Sequence, residues 1–180
     1  MRVLGVDPGL TRCGIGVVEQ VPGRKPVFVA AGVVRTPMNG AHEQRLLAIE
    51  QGITQAVEFY QPDAIAVERA FAQQNLHSVA GTIQAAGIAM LVAARLGIPV
   101  TLHTPTEVKA AVTGSGRADK AQIGAMVVRI LGLTEAPKPA DAADAVALAL
   151  CHLWRGGATS KYALLEATMK RQQQQGKVAK

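Results

Sequence analysis

The sequence predicts an α/β protein with a mixed five-stranded sheet and helices on both faces. Two features carry that prediction. Three β-rich runs joined by short turns open the chain, and from residue 42 onward helical periods alternate with short apolar runs. Arg2 to Asp7 (Val3, Leu4, Val6) ends at Asp-Pro-Gly, a strong turn signal, and Cys13 to Glu19 is a second β-rich run, so the two form a hairpin. Pro26 to Thr36 (Val27, Val29, Val33, Val34) extends it to an antiparallel meander. The period then changes: Leu46, Ile49, Ile53, Val57 and Tyr60 recur at spacings of three and four, predicting an amphipathic helix over His42 to Tyr60 that Pro62 closes. Ala64 to Glu68 is a buried strand, Asn75 to Leu96 a long helix and Pro99 to Leu102 a fifth strand. Helices follow near Thr106 to Val112, over Lys120 to Leu131, and from Ala140 to about Trp154. Gly114, Ser115 and Gly116 form a flexible loop, and Ala136 to Pro139 another. No internal repeat is evident.

A chain of 180 residues with 49% hydrophobic content is long enough for one domain with a real core, and too apolar for disorder. Residues 1–155 are read as that domain and 156–180 as a basic, Gln-rich tail. Lys161, Lys170, Arg171, Lys177 and Lys180 against Glu166 give the tail +4 of the chain's +6. It reads as a frayed helix or a flexible tether for a polyanion, or equally as a solubilising tail with no specific partner. The longest apolar run, Ala85 to Ala94, is half a bilayer span, and no signal-peptide pattern opens the chain, so a cytoplasmic location is expected. Cys13 and Cys151 are too few for a disulfide framework and too isolated for zinc, which leaves them as small buried apolar residues.

Four carboxylates stand out. Asp7 and Glu68 each end an apolar strand, and Asp141 and Asp144 lie three apart on one face of the final helix. The first and fourth strands are plausible neighbours in this architecture, which brings Asp7 beside Glu68 and lets the last helix deliver the other pair. Two unit charges 4 Å apart repel by roughly 4 kcal/mol at an effective dielectric near 20. Positive charge must compensate, and the nearby sequence supplies little, since Arg69 should point to the opposite face. Hard divalent cations such as Mg²⁺ or Mn²⁺ suit such oxygen ligands. Two of them about 4 Å apart hold the attacking water and the leaving oxygen of a phosphodiester. Each residue also has a local role available: Asp7 in its turn, Asp141 as a helix cap, Asp144 as a first-turn charge. Glu68 has none.

The segments Val3-Leu4-Gly5-Val6-Asp7-Pro8-Gly9, Ala66-Val67-Glu68-Arg69-Ala70-Phe71 and Ala140-Asp141-Ala142-Ala143-Asp144-Ala145 resemble, at these separations, the RuvC family of bacterial crossover junction endodeoxyribonucleases, over about residues 1 to 155. The resemblance implies a ribonuclease-H-like fold, a homodimer, and Mg²⁺-dependent resolution of four-way Holliday junctions in recombination and repair. It makes Asp7, Glu68, Asp141 and Asp144 the catalytic ligands of two ions, with His in place of Asp141 in some relatives. It further implies paired nicks of like polarity, 5′-phosphate and 3′-hydroxyl ends, and cooperation with the RuvA and RuvB branch-migration proteins. A two-fold dimer matches the two equivalent strands of a junction. By the same likeness Phe71, Lys109, Arg117 and Lys120 contact DNA. Phe71 otherwise fills the core, and the three cations otherwise sit solvated at helix ends.

Gly81, Ala85, Ala89 and Ala93 recur every four residues, a stripe that serves a dimer seam or a contact with the sheet. His152 shares a helical face with Asp141 but lies roughly 16 Å along the axis, too far for one metal shell. His42 and His77 are surface or core residues, and His103, at a strand end, is the one worth testing. Two other functions compete. Asp7 to Gly14 also resembles the phosphate-binding hairpin of actin-like and sugar-kinase ATPases, although these need two lobes. The other is a junction-binding module without catalysis.

Overall fold

The computed structural model describes residues 1–69 and 76–155, with side chains in the long helix from residue 79 onward. Its strands are β1 (Arg2–Asp7), β2 (Arg12–Glu19), β3 (Val27–Arg35), β4 (Ala64–Glu68) and β5 (Val100–His103). They form one sheet in the order β3-β2-β1-β4-β5, antiparallel across β3-β2-β1 and parallel across β1-β4-β5. The helices are α1 (His42–Tyr60), α2 (Leu76–Arg95), α3 (Pro105–Thr113), α4 (Lys120–Leu131) and α5 (residues 140–155). This is the mixed five-stranded α/β architecture, with the first and fourth strands adjacent as expected. The predicted start of the long helix at Asn75, like Phe71 and residues 156–180, lies outside the described residues.

Period-two alternation sorts the strand side chains between two cores. Leu4, Val6, Ile15, Val17, Ile65 and Val67 pack with α1 and α2 on one face. Val3, Val18 and Ala66 pack with α3, α4 and α5 on the other. The small-residue stripe belongs to the first core. Ala85, Ala89 and Ala93 are fully buried there and Gly81 abuts Leu10, so the stripe seats α2 within the protomer and is not a dimer seam. Both cysteines are buried and free. Among the described residues no helix is long and apolar enough to cross a membrane.

Local signals set the helix ends near the site. Thr104 and Glu107 form a reciprocal capping box that starts α3 at Pro105, one residue earlier than the hydrophobic period indicates. Asp119 and Gln122 form another, which fixes Lys120 as the first residue of α4. The expected flexible loop is a hydrogen-bonded turn. Gly114 closes α3 in the left-handed region, Ser115 N–H donates to Thr113 Oγ1 (3.1 Å), and Ala118 N–H donates to the Ser115 carbonyl (3.2 Å).

Candidate active site

The site is built at the carboxyl end of β1 and β4, where parallel strands bring two chain ends together. Val6 pairs with Val67, and one step further that register sets Asp7 beside Glu68. Residues 3, 5 and 7 of β1, and 66 and 68 of β4, turn to the face that α5 covers, so both carboxylates emerge beneath that helix.

Glycines let α5 descend onto the strands. Gly5 and Gly16 are cross-strand partners, and Gly14 lies opposite Asp7. A Cβ at Gly5 would collide with the Ala145 carbonyl, one at Gly14 with the Asp141 carbonyl, and one at Gly16 with the Val146 amide. The helix backbone therefore rests directly on the sheet, and the first turn of α5 reaches Asp7. The Pro139 carbonyl accepts the Ala142 N–H (3.0 Å), which places Asp141 inside that turn and not at the cap position its sequence context offers.

Asp7, Glu68 and Asp144 line one pocket of about 230 Å³ together with Lys109, Lys120, Pro105, Val108, Ile123 and Ala147. Asp141, the fourth expected ligand, is not part of that lining. The carboxylates sense one another: burial above all, then Glu68, Asp144 and Asp141, pushes the Asp7 carboxyl up to about 8, while Lys120 pulls the other way. Burial and then Asp144 also raise Glu68, opposed by Lys120 and Lys109.

The sequence reading found little positive charge near these acids, and the structure corrects it. Lys120 Nζ donates to Asp144 Oδ2 at 2.9 Å, and Arg12 Nε lies 3.2 Å from Asp141 Oδ2. The bond to Asp144 is the main cause that raises the Lys120 ammonium further. Of the expected DNA contacts, Lys109 and Lys120 line the pocket and Arg117 is exposed on the turn before α4. Phe71 lies outside the described residues. Arg12 and the three glycines were missed; glycine at alternate positions of an apolar strand is the available signal, because it marks close backbone approach.

His103 pairs with Glu68 in the sheet register, and its Nε2 lies 3.1 Å from His152 Nδ1. Both rings are buried. Burial holds both below the usual histidine range, and His152, also facing His103, falls to about 4. They tie β5 to α5 and stand apart from the pocket lining.

The donor set suits a hard divalent cation: every candidate ligand is a carboxylate oxygen, and a carboxyl held near 8 marks a site short of positive charge. Two of the four acids are drawn toward Lys120 and Arg12, and among the described residues no three His, Cys, Asp or Glu stand close enough together to hold an ion as they are placed.

Comparison with known proteins identifies the family. The family model for crossover junction endodeoxyribonuclease RuvC matches residues 3–152. The chain belongs to the RuvC family. A crossover junction endodeoxyribonuclease RuvC of Cutibacterium acnes is 62% identical over 170 residues, covering 94% of this chain and 87% of that protein. Another, of Streptomyces avermitilis, is 65% identical over 161 residues, covering 89% and 92%. The structure of T. thermophilus RuvC in complex with Holliday junction substrate superposes with a TM-score of 0.80 at 35% identity, over 85% of this chain and 93% of that one. The fold is accordingly ribonuclease-H-like, as the resemblance implied. As a RuvC member the chain is a hydrolytic, metal-dependent endodeoxyribonuclease of crossover junctions, which sets aside the ATPase reading.

Proposed function

We propose that Asp7, Glu68, Asp141 and Asp144 are the catalytic ligands of two Mg²⁺ ions, replaceable by Mn²⁺, with which this enzyme resolves Holliday junctions in DNA recombination and repair. The observation that carries the assignment is the convergence of Asp7, Glu68 and Asp144 on one pocket that also holds Lys109 and Lys120. When bound, the ions activate the attacking water and stabilise charge on the leaving 3′ oxygen, so the ends are a 5′-phosphate and a 3′-hydroxyl.

The chain's own residues do the rest. Lys109 and Lys120 neutralise the incoming phosphate, and Arg117 holds the backbone beside it. The capping box at Asp119 fixes where the Lys120 backbone starts, while its side chain spans to Asp144. The glycine seat of α5 holds Asp141 and Asp144 over the strand ends. A pocket of about 230 Å³ is smaller than the roughly 300–1,000 Å³ usual for small-molecule sites, which favours a backbone phosphate over a whole nucleotide.

We further infer a homodimer acting in the cytoplasm with the RuvA and RuvB proteins. Residues 1–155 form the nuclease domain, residues 156–180 a basic tail, and Phe71 meets bases at the opened junction. Ile83, Met90 and Leu91 are exposed on α2 around Gly87, which supports an apolar contact with a second copy. The test is an endonuclease assay on a synthetic four-way junction and on linear duplex, with Mg²⁺ and with EDTA. Symmetric nicks in the junction alone, abolished by EDTA, are expected. Equal cutting of duplex, or cutting in EDTA, refutes the reading, and binding without cutting would leave a non-catalytic junction module.

A further inference from the structure

Three arginines lie at the β3 side of the same sheet end, two of them on the face that α5 covers and the third, Arg45, on α1 across the sheet. Arg12 and Arg35 are direct partners in the antiparallel register, a placement in which like charges destabilise. Gly14, Gly16 and Val18 of β2 face α5, so Arg12 and its partner Arg35 stand on that face too, and Arg12 reaches Asp141. Arg45 approaches from α1. Its Nη2 donates to Thr11 Oγ1 (2.7 Å) and its Nε to Thr36 Oγ1 (3.0 Å). Thr36 is itself buried and donates to the Leu10 carbonyl at 2.5 Å. Neutral hydroxyls thus fix this guanidinium, and three of its five N–H groups are left for another acceptor.

Among the described residues, the one carboxylate paired with this trio is Asp141, on Arg12. The protein gathers three cations, one of them rigidly held, and leaves most of their charge unanswered. A polyanion with regularly spaced charges is the fitting partner. The sheet order places two of the three relative to the carboxylates: Arg35 on β3, Arg12 on β2, Asp7 on β1, Glu68 on β4, with Lys109 and Lys120 beyond, while Arg45 joins the β2-β3 end through Thr11 and Thr36. Strands lie about 4.8 Å apart, so Arg35 is roughly 10 Å from the Asp7 strand, about two to three nucleotides along one DNA strand.

We propose that Arg12, Arg35 and Arg45 form a second phosphate-binding bank, gripping the DNA backbone on the opposite side of the scissile phosphate from Lys109, Lys120 and Arg117. The proposal rests on the reading of the carboxylate pocket as the cutting site. It makes the substrate strand cross the whole sheet end, with phosphates held on both sides of the bond to be broken.

The test measures binding of the full chain to a four-way junction in EDTA, across a salt series, with single neutral methylphosphonates placed at successive phosphates around the junction. Arg35, exposed at a strand end, is replaced in Arg35→Gln, Arg45 in Arg45→Gln, and Lys109→Gln reports on the other bank. Arg35→Gln and Arg45→Gln should each bind several-fold more weakly and lower the salt slope by about 0.9 per protomer, about 1.8 for a dimer on one junction. Methylphosphonates that weaken the wild type on one side of the cut should add nothing to Arg35→Gln, and those on the other side nothing to Lys109→Gln. Wild-type affinity and slope in Arg35→Gln, or losses that add fully at every phosphate, overturn the proposal. Cutting by the wild type with Mg²⁺ is scored separately, so a dead pocket and an absent bank give different results.

Discussion

Replacing Asp7 with Asn should stabilise the cation-free protein while destroying its chemistry. In the folded chain this carboxyl is held at about 8, against 3.8 when unperturbed, because burial and then Glu68, Asp144 and Asp141 disfavour its charge. Between those values the folded state binds a proton that the unfolded state has released, so stability falls as pH rises from about 4 to 8 and is level above. At pH 7 the penalty is up to about 4 kcal/mol, and at pH 5 about 2 kcal/mol. Asp7→Asn keeps the shape and removes the charge. Urea denaturation in EDTA should therefore show the variant more stable by up to about 4 kcal/mol at pH 7, shrinking to below about 1 kcal/mol at pH 4. Added Mg²⁺ should raise the wild type's stability and leave the variant nearly unchanged. A variant no more stable than wild type at pH 7, or a gain independent of pH, would refute the claim that burial and the neighbouring acids disfavour the Asp7 charge.

Three other outcomes follow from the same geometry. Lys120→Met removes the ammonium that opposes the rise in Asp7, so the gain from Asp7→Asn should be larger in that background; a double-mutant cycle with zero coupling would contradict the electrostatic influence of Lys120 on Asp7. Gly14→Ala sets a methyl against the Asp141 carbonyl, and should cost about 1–3 kcal/mol and most of the cutting rate, measured by denaturation and single-turnover cleavage. His152 is held down to about 4 by burial and His103, so its contribution is whole above about 6.5 and lost as pH falls through 4. In an Asp7→Asn background, where the opposing Asp7 titration is gone and that of Glu68 is common to both chains, His152→Gln should remove about 3 kcal/mol of acid sensitivity between pH 7 and 4. An unchanged acid limb would show that the pair is not buried neutral.

What the sequence disclosed and what it withheld divide along chain distance. Asp7 and Glu68 were legible as acids that each end an apolar strand, and a spacing of three put Asp141 and Asp144 on one helix face, because each of those facts is local. The adjacency of β1 and β4 followed from ordinary rules of strand connection. The counter-charges did not follow. Lys120 meets Asp144 from another helix, and Arg12 meets Asp141 from the opposite end of the chain, so only the packed fold reveals them. Asp141 reads as a cap in sequence and is in the first turn because Pro139 supplies the first carbonyl. The alanine stripe on α2 had two destinations, and it is the sheet and α1 that bury it. Gly5, Gly14 and Gly16 were visible as residues, but their purpose depends on a helix more than a hundred positions away.

The most direct measurement is single-turnover cleavage of a four-way junction by Asp7→Asn in Mg²⁺, alongside its junction affinity in EDTA. Cutting no faster than buffer with binding intact is the expected pair of results. Wild-type scission by that variant would contradict the assignment of these carboxylates to the chemistry.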